Sequence, residues 1–230
     1  MTELAAIRRA AVLAPHPDDE VLGCGGTMAR LAAAGSEVHV VIATRGRPPC
    51  YPDAYMERVM GEARAAHAML RVHQTHHLDL PAAALDTLPA AEINARLGDC
   101  LDAIAPDTLF VPFVGDVHLD HQIVFTSAMV WARPRHAGAP ARVLAYETLS
   151  ETNWYAPGVT PGFQPNLFVD ISDHLDQKID AFAAFESQAK PFPDERSPEA
   201  IRALATLRGA TVYCAAAEAF VAIREIWRGR

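Results

Sequence analysis

Residues 10–26 read AAVLAPHPDDEVLGCGG, and this stretch decides the fold. Its first five residues form an apolar run typical of a buried strand, and from Val21 onward the pattern is typical of a helix. Between them lie His16 and the three acids of residues 18–20. Sites in α/β proteins form where strands end. Three carboxylates in such a half-buried place are costly without a positive partner, so we expect a metal ion there.

Strand and helix patterns alternate along the chain. Apolar and β-branched runs predict strands at residues 7–14, 37–44, 75–80, 108–113, 142–148 and 166–171. Apolar residues at three- and four-residue steps predict helices at 21–34, 54–71, 90–104, 122–131, about 174–186, 198–208 and 215–228. This order predicts an α/β fold with a mostly parallel central sheet that is covered by helices on both faces.

Length and composition fit one large domain spanning residues 1–230, because half of the residues are hydrophobic and supply an ample core. The net charge is −8 and the basic residues are scattered, so no nucleic-acid or membrane-surface partner is expected. No apolar stretch approaches the roughly 20 residues of a transmembrane helix. We expect a small or neutral substrate.

The cysteines indicate the compartment. All four, Cys24, Cys50, Cys100 and Cys214, are widely separated and form no Cys-x-x-Cys pair. With no secretory signal at the first residues, free thiols in a reducing compartment are expected, and therefore a cytoplasmic location.

A second cluster, GDVHLDH at residues 115–121, follows the fourth predicted strand. Because the carboxyl ends of parallel strands meet at one edge of the sheet, both clusters fall on the same rim. His16, Asp19 and His121 then make a first-row divalent site with an open position, most often for zinc. Asp18 remains free beside Asp19, close enough to take a proton from an activated water.

Two more residues of the second cluster are candidates for the chemistry. His118 precedes His121 by three residues, which on a first helical turn puts both on nearly one face. It is expected to face the substrate as a cation or general acid, and Asp120 to orient one of the imidazoles. Residues 150–164, which include the aromatic residues Trp154, Tyr155 and Phe163, form an expected loop over the site.

Structural explanations stay open beside the functional ones. The acids of residues 18–20 also suit an N-cap and first helical turn, and residues 118–121 suit a polar turn with an N-cap. The glycines of residues 23–26 lack the G-x-G-x-x-G spacing of a dinucleotide loop, and acids at that helix start would repel a pyrophosphate. The open alternatives are a metal-dependent hydrolase of another amide or lactone, and a non-catalytic nucleotide-binding module.

The motif pair PHPDDE at residues 15–20 and HLDH at residues 118–121 resembles the LmbE-like or PIG-L family of zinc-dependent N-deacetylases. This family includes the N-acetylglucosaminyl-phosphatidylinositol deacetylases and those of mycothiol and bacillithiol biosynthesis. Residues 196–220 also resemble the C-terminal part of its bacterial sugar deacetylases. The resemblance implies a Rossmann-like, three-layer LmbE-like domain. It also implies removal of an N-acetyl group from an N-acetylglucosamine-type sugar, giving a free amine and acetate.

The resemblance assigns a role to each matching position. It makes His16, Asp19 and His121 the metal ligands, Asp18 the general base, and His118 the group that assists the tetrahedral intermediate or the leaving amine. Zn²⁺ is the expected cofactor, or another divalent ion such as Fe²⁺.

The family's sugar-binding arginine and acid match less closely. Their nearest counterparts here are Arg58 or Arg64 in the second helix and Asp79 after the third strand. Arg58 with Glu62 is equally well an i,i+4 surface pair. The partner implied is a small N-acetylated sugar, and the trimers and hexamers common among relatives make a homo-oligomer possible.

Overall fold

A seven-stranded sheet forms the centre of the protein, with the strand order β3-β2-β1-β4-β5-β7-β6. The computed structural model describes residues 7–135, 138–154, 156 and 158–227. The strands are β1 (Arg9–Ala14), β2 (Glu37–Arg45), β3 (Gln74–Pro81), β4 (Thr108–Pro112), β5 (Arg142–Tyr146), β6 (Leu167–Asp170) and β7 (Ala217–Glu225). The helices are α1 (Asp19–Ala33), α2 (Asp53–Met69), α3 (Ala90–Ile104), α4 (Leu119–Trp131), α5 (Leu175–Ala183) and α6 (Pro198–Thr211), with a short 3-10 helix at Leu85–Thr87.

The first five strands of the chain pair in parallel, as the α/β prediction requires. In the register, Val12 of β1 pairs with Val40 of β2 on one side and with Phe110 of β4 on the other. Among the strands of the described residues, β7 alone runs in the opposite direction, so it is antiparallel to both of its neighbours, β5 and β6. The sheet is therefore mostly parallel, as predicted.

Helices cover both faces of the sheet and divide the core in two. Alternate residues of β1 point to opposite faces, so Val12 packs with α1, α2, α5 and α6, whereas Leu13 packs with α3 and α4. The result is the expected three-layer sandwich. None of the helices in the described ranges has the length and apolar character needed to span a bilayer.

The predicted last helix, residues 215–228, is wrong: residues 217–225 form β7, and residue 228 lies outside the described residues. Ala- and Glu-rich sequence favours a helix locally. In the fold, however, this segment lies between β5 and β6, where Phe220 pairs with Tyr146 and Leu167. Burial within the sheet outweighs the local preference, as it can for short apolar runs of ambiguous period.

Glycines let α1 lie close against the sheet. A Cβ atom on Gly23 would lie 2.2 Å from Cδ2 of Tyr146, and one on Gly26 would lie 2.6 Å from Cδ1 of Ile171. The Tyr146 hydroxyl in turn donates a hydrogen bond to the carbonyl of Leu13 at 2.6 Å. The absence of side chains at these two glycines therefore lets α1 pack closely against Tyr146 and Ile171. This close contact sets the position of α1 relative to the end of β1.

Candidate metal centre and active site

Both sequence clusters lie at the carboxyl edge of the parallel strands. His16 follows the end of β1, Asp19 begins α1, and His121 lies in the first turn of α4 after β4. Donor atoms of these three residues all lie within 4.8 Å of one another. Oδ2 of Asp19 is 3.3 Å from Nδ1 of His16 and 3.2 Å from Nε2 of His121. The structure therefore brings together the three residues that the sequence analysis predicts as ligands.

This trio suits a metal ion. Nε2 of His121 is buried and, although it lies 3.2 Å from Oδ2 of Asp19, it makes no well-oriented hydrogen bond within the described part of the chain, a state that buried polar atoms rarely adopt without a ligand. The Asp19 carboxylate is held in place because its Oδ2 accepts a hydrogen bond from the backbone N–H of His16 at 2.8 Å. Two imidazoles and one carboxylate are donors that zinc and other first-row divalent ions accept.

A carboxylate holds the far nitrogen of each histidine. Oδ2 of Asp116 lies 2.8 Å from Nδ1 of His121, and Oδ2 of Asp120 lies 3.0 Å from Nε2 of His16. Metal-ligating histidines commonly have such a partner, which fixes the ring and its tautomer. Sequence reasoning missed Asp116, although it lies in the quoted cluster five residues before His121. Which acid reaches which ring depends on how the loop folds.

The charge around the trio favours a cation. Burial lowers the pKa of His16, but the hydrogen bonds that its ring donates to the carboxylates of Asp120 and Asp19 outweigh burial and raise that pKa to about 9. For His121, burial is again outweighed, here by the charge of Asp19 and the bond to Asp116, and the pKa rises to about 10. The carboxylates thus hold positive charge on the imidazoles. A divalent ion binding there would displace those protons.

Asp18 lies beside the trio in an unusual backbone conformation. Its φ of 120° lies in the region that disfavours side chains, and such strain is concentrated at functional sites. Its backbone N–H donates to Oε2 of Glu20 at 3.0 Å, and Oε1 of Glu20 lies 2.9 Å from Nε2 of His67. Glu20 is fully buried and holds the turn that presents Asp18.

Burial and Arg196 set the proton affinity of Asp18. Burial raises the pKa of Asp18 to about 8, against the guanidinium of Arg196, which lowers it. Nη1 of Arg196 donates to Oδ2 of Asp18 at 2.9 Å. A divalent ion on the neighbouring trio would lower the pKa further, because positive charge favours the carboxylate.

His118 is both an N-cap and a cleft residue. Its Nδ1 accepts a hydrogen bond from the backbone N–H of Asp120 at 3.1 Å, as the structural explanation predicted. Burial and the nearby His16 lower the pKa of His118, so its ring is neutral near pH 7. Because Nδ1 accepts, the proton of the neutral ring resides on Nε2, which is left as a donor.

A cleft of about 180 Å³ opens over this centre. It is lined by His16, Pro17, Asp18, Thr44, Gly46, Tyr51, Tyr55, Met56, Val59, Ala82, His118, Glu151, Gln188 and Arg196. Sequence reasoning did not assign Tyr51, Tyr55, Glu151, Gln188 or Arg196 a role. Two signals were present: Arg196 begins the C-terminal stretch of the family resemblance, and Glu151 belongs to the loop at residues 150–164 that the sequence analysis predicts over the site. The contact cannot be read from neighbouring residues, because Asp18 and Arg196 are 178 positions apart in the chain.

The three predicted sugar-binding residues lie elsewhere. Arg58 is bound to Oε1 of Glu62 at 2.8 Å and to Glu186 at 3.3 Å, which is the i,i+4 pair of the alternative explanation. Arg64 and Asp79 line a separate cavity. None of these three side chains is among those lining the cleft over the candidate metal centre.

Trp154 and Phe163, the described aromatic residues of the loop at residues 150–164, are not among the residues that line the cleft. Trp154 is 62% exposed, and its indole N–H donates to Glu195. Phe163 packs edge-on against Phe113, with ring centroids 5.2 Å apart. Tyr155 lies outside the described residues. From the same loop, Glu151 does line the cleft.

Comparison with known proteins is consistent with this geometry. Residues 11–132 match the family described as GlcNAc-PI de-N-acetylase, PIG-L. The chain is 30% identical over 179 residues to the uncharacterized deacetylase YaiS of Escherichia coli, covering 74% of this chain and 86% of that protein. It is 27% identical over 202 residues to the diacetylchitobiose deacetylase of Thermococcus kodakarensis, covering 82% and 72%. Among solved structures, the conserved protein TT1542 of Thermus thermophilus superposes with a TM-score of 0.77 at 27% identity, over 96% of both chains.

Proposed function

The chain belongs to the PIG-L family, and from this premise we propose that it is a zinc-dependent hydrolase that removes the N-acetyl group from an N-acetylglucosamine-type sugar or glycoconjugate. Its named relatives are deacetylases, and it is an enzyme of the same kind, a hydrolase of N-acetyl amides. One observation carries the proposal: donor atoms of His16, Asp19 and His121 lie within 4.8 Å of one another, and one of them, the buried Nε2 of His121, has no hydrogen-bond partner in the described part of the chain. Asp18 stands beside them in the same cleft.

The metal would be held by His16, Asp19 and His121, with Asp120 and Asp116 fixing the two rings. When bound, a zinc ion supplies Lewis acidity, which polarises an amide carbonyl and makes a water molecule more acidic. The rest of the chemistry belongs to the protein's own side chains.

Asp18 is the proposed base and then the acid. Its carboxylate takes a proton from the attacking water as the new C–O bond forms, and returns that proton to the nitrogen as the C–N bond breaks. Arg196 holds the carboxylate at 2.9 Å, which fixes its direction. Acetate and a free amino sugar are the products.

His118 is the proposed stabiliser of negative charge. Nδ1 of His118 accepts a hydrogen bond from the backbone N–H of Asp120 at the start of α4. Its Nε2–H is therefore free to donate to the carbonyl oxygen of the substrate amide as that oxygen becomes negative. The ring centroid of His118 lies 4.5 Å from that of His16, so the donor lies next to the metal centre.

The cleft suits a neutral sugar. Tyr51 and Tyr55 line one part of it and can offer ring faces to a sugar, while Gln188 and Glu151 supply groups that bond hydroxyls. This lining supports a small carbohydrate partner. We place the reaction in the cytoplasm and in one domain spanning residues 1–230.

Acetate release tests the proposal. The purified protein is assayed on N-acetylglucosamine and diacetylchitobiose, and on N-acyl amino acids and a lactone as controls. We expect acetate and free amine from the sugars, loss of activity after chelation and recovery with zinc. Hydrolysis of only the control substrates would refute the proposed substrate, and unchanged activity after complete metal removal would refute the metal role.

A further inference from the structure

A second group of histidines lies at the amino end of the parallel strands. His39 of β2 is only 6% exposed, and its Nδ1 lies 3.1 Å from Nε2 of His76 on the edge strand β3. The other ring nitrogen, Nε2, is buried and has no hydrogen-bond partner among the residues the structure describes. Buried ring nitrogens nearly always have a hydrogen-bond partner, and a bound ion would explain the exception at His39.

Two further donors lie next to His39. Glu37 points to the same face of the sheet because it is two residues away on the same strand. His73 comes just before β3, where its backbone N–H donates to the carbonyl of Val38 at 2.7 Å. Donor atoms of Glu37, His39 and His73 all lie within 4.8 Å of one another. The rings of His39 and His73 are 5.1 Å apart at their centroids.

His39 and Glu37 each have a lone pair that is available to a metal ion. Burial, with His76 and His73 beside it, lowers the pKa of His39 to about 4, so this ring is neutral near pH 7. In the tautomer in which Nδ1–H donates to His76, Nε2 keeps its lone pair for a metal, and His76 orients the ring. Nε of Arg9 donates a hydrogen bond to Oε2 of Glu37 at 2.7 Å, which leaves the other carboxylate oxygen of Glu37 available as a metal ligand.

We propose that Glu37, His39 and His73 form a second binding site for a divalent first-row ion such as zinc, separate from the catalytic centre. His39 and the cleft residue Thr44 are five residues apart on β2, which is about 16 Å at the rise of a strand. An ion there joins β2 to the start of the edge strand β3. Its expected role is to stabilise the fold, because a ligand that binds only the folded state raises its stability.

Zinc content tests this site without relying on activity. The chain, freed of any histidine tag, is stripped of metal, dialysed against Zn²⁺ and analysed for zinc per chain. His73 is exposed, so H73A removes a ligand without opening the core, and E37Q removes the carboxylate charge. The matched control is H77A: His77 is an exposed histidine of β3, four residues after His73, but it lines another cavity beside Arg64.

We expect H73A to hold one zinc ion fewer than the wild type, and H77A to hold as many as the wild type. Once the catalytic centre is loaded, further zinc should raise the Tm of the wild type and of H77A but not of H73A. Equal zinc content in H73A and the wild type would overturn the second site. This comparison does not depend on whether the catalytic centre itself binds zinc.

Discussion

Nη1 of Arg196 donates a hydrogen bond to Oδ2 of Asp18 at 2.9 Å and links the segment before α6 to the turn after β1. The same guanidinium nitrogen donates to Oε1 of Gln188 at 3.0 Å, and Nε donates to Oγ of Ser150. Arg196 therefore joins three loops around one carboxylate. This contact makes Arg196 a positioning residue for the proposed base.

Replacing Arg196 should lower kcat more than it raises KM. In R196Q the Asp18 carboxylate loses both its charged partner and its fixed direction, and a misplaced catalytic group can cost roughly a hundredfold in rate. The measurement is steady-state acetate release, with zinc content determined in parallel. R202Q is the matched control, since Arg202 pairs with Asp176 on the exposed surface. Equal kcat in R196Q and R202Q would show that the contact is only structural.

Removing the carboxylate of Asp18 should strongly lower kcat but leave the metal in place. In D18N the side chain keeps its size and loses its basicity, so kcat should fall by about 10²–10⁴-fold, the usual scale for a general base. Zinc analysis should give the wild-type content, because the proposed ligands are His16, Asp19 and His121. A near-normal rate in D18N would eliminate Asp18 as the base.

The two roles of His118 can be separated. Asparagine is a favoured N-cap, so H118N should keep the start of α4 intact while the Nε2–H donor is lost. We expect an unchanged Tm and a kcat about 10²–10³-fold lower, the scale for one oxyanion donor. Thermal unfolding and acetate release measure the two effects. A large loss of Tm with kcat preserved would mean that the cap is the only role.

We expect Asp116 to increase the affinity of the candidate site for zinc by orienting the ring of His121. In D116N the partner of His121 Nδ1 loses its charge, and loss of such a partner commonly costs about 10–100-fold in metal affinity. Competition with a chromophoric chelator measures the zinc affinity. D86N, at an exposed acid of the short 3-10 helix, is the control. Zinc affinity in D116N as high as in D86N would contradict the role assigned to Asp116.

Two glycine substitutions should change stability in opposite directions. G23A places a methyl group 2.2 Å from the ring of Tyr146, and such overpacking typically costs about 1–3 kcal/mol. G98A in the middle of α3 meets nothing closer than 3.6 Å and should stabilise by up to about 1 kcal/mol, because alanine favours a helix. Urea unfolding measures both. A G23A variant as stable as the wild type would contradict the overpacking explanation, and a destabilised G98A would contradict the helix-preference explanation.

Sequence reasoning succeeded where the signal is local. The apolar run before His16, the acids after it and the strand–helix alternation specify β1, α1 and a mostly parallel sheet, because each depends on near neighbours and on a regular period. It failed for residues 217–225, which form β7. The local preference there is helical, and the deciding interactions come from β5 and β6 elsewhere in the chain.

By itself, the sequence determined the fold class and the candidate ligand set, since parallel topology places His16, Asp19 and His121 at one sheet edge. The tertiary structure decided which groups surround them. It paired Asp116 and Asp120 with particular rings, brought Arg196 to Asp18, and placed Arg58, Arg64 and Asp79 outside the cleft. The physical reason is that topology fixes where strands end, whereas contacts between side chains far apart in the chain depend on how the loops pack.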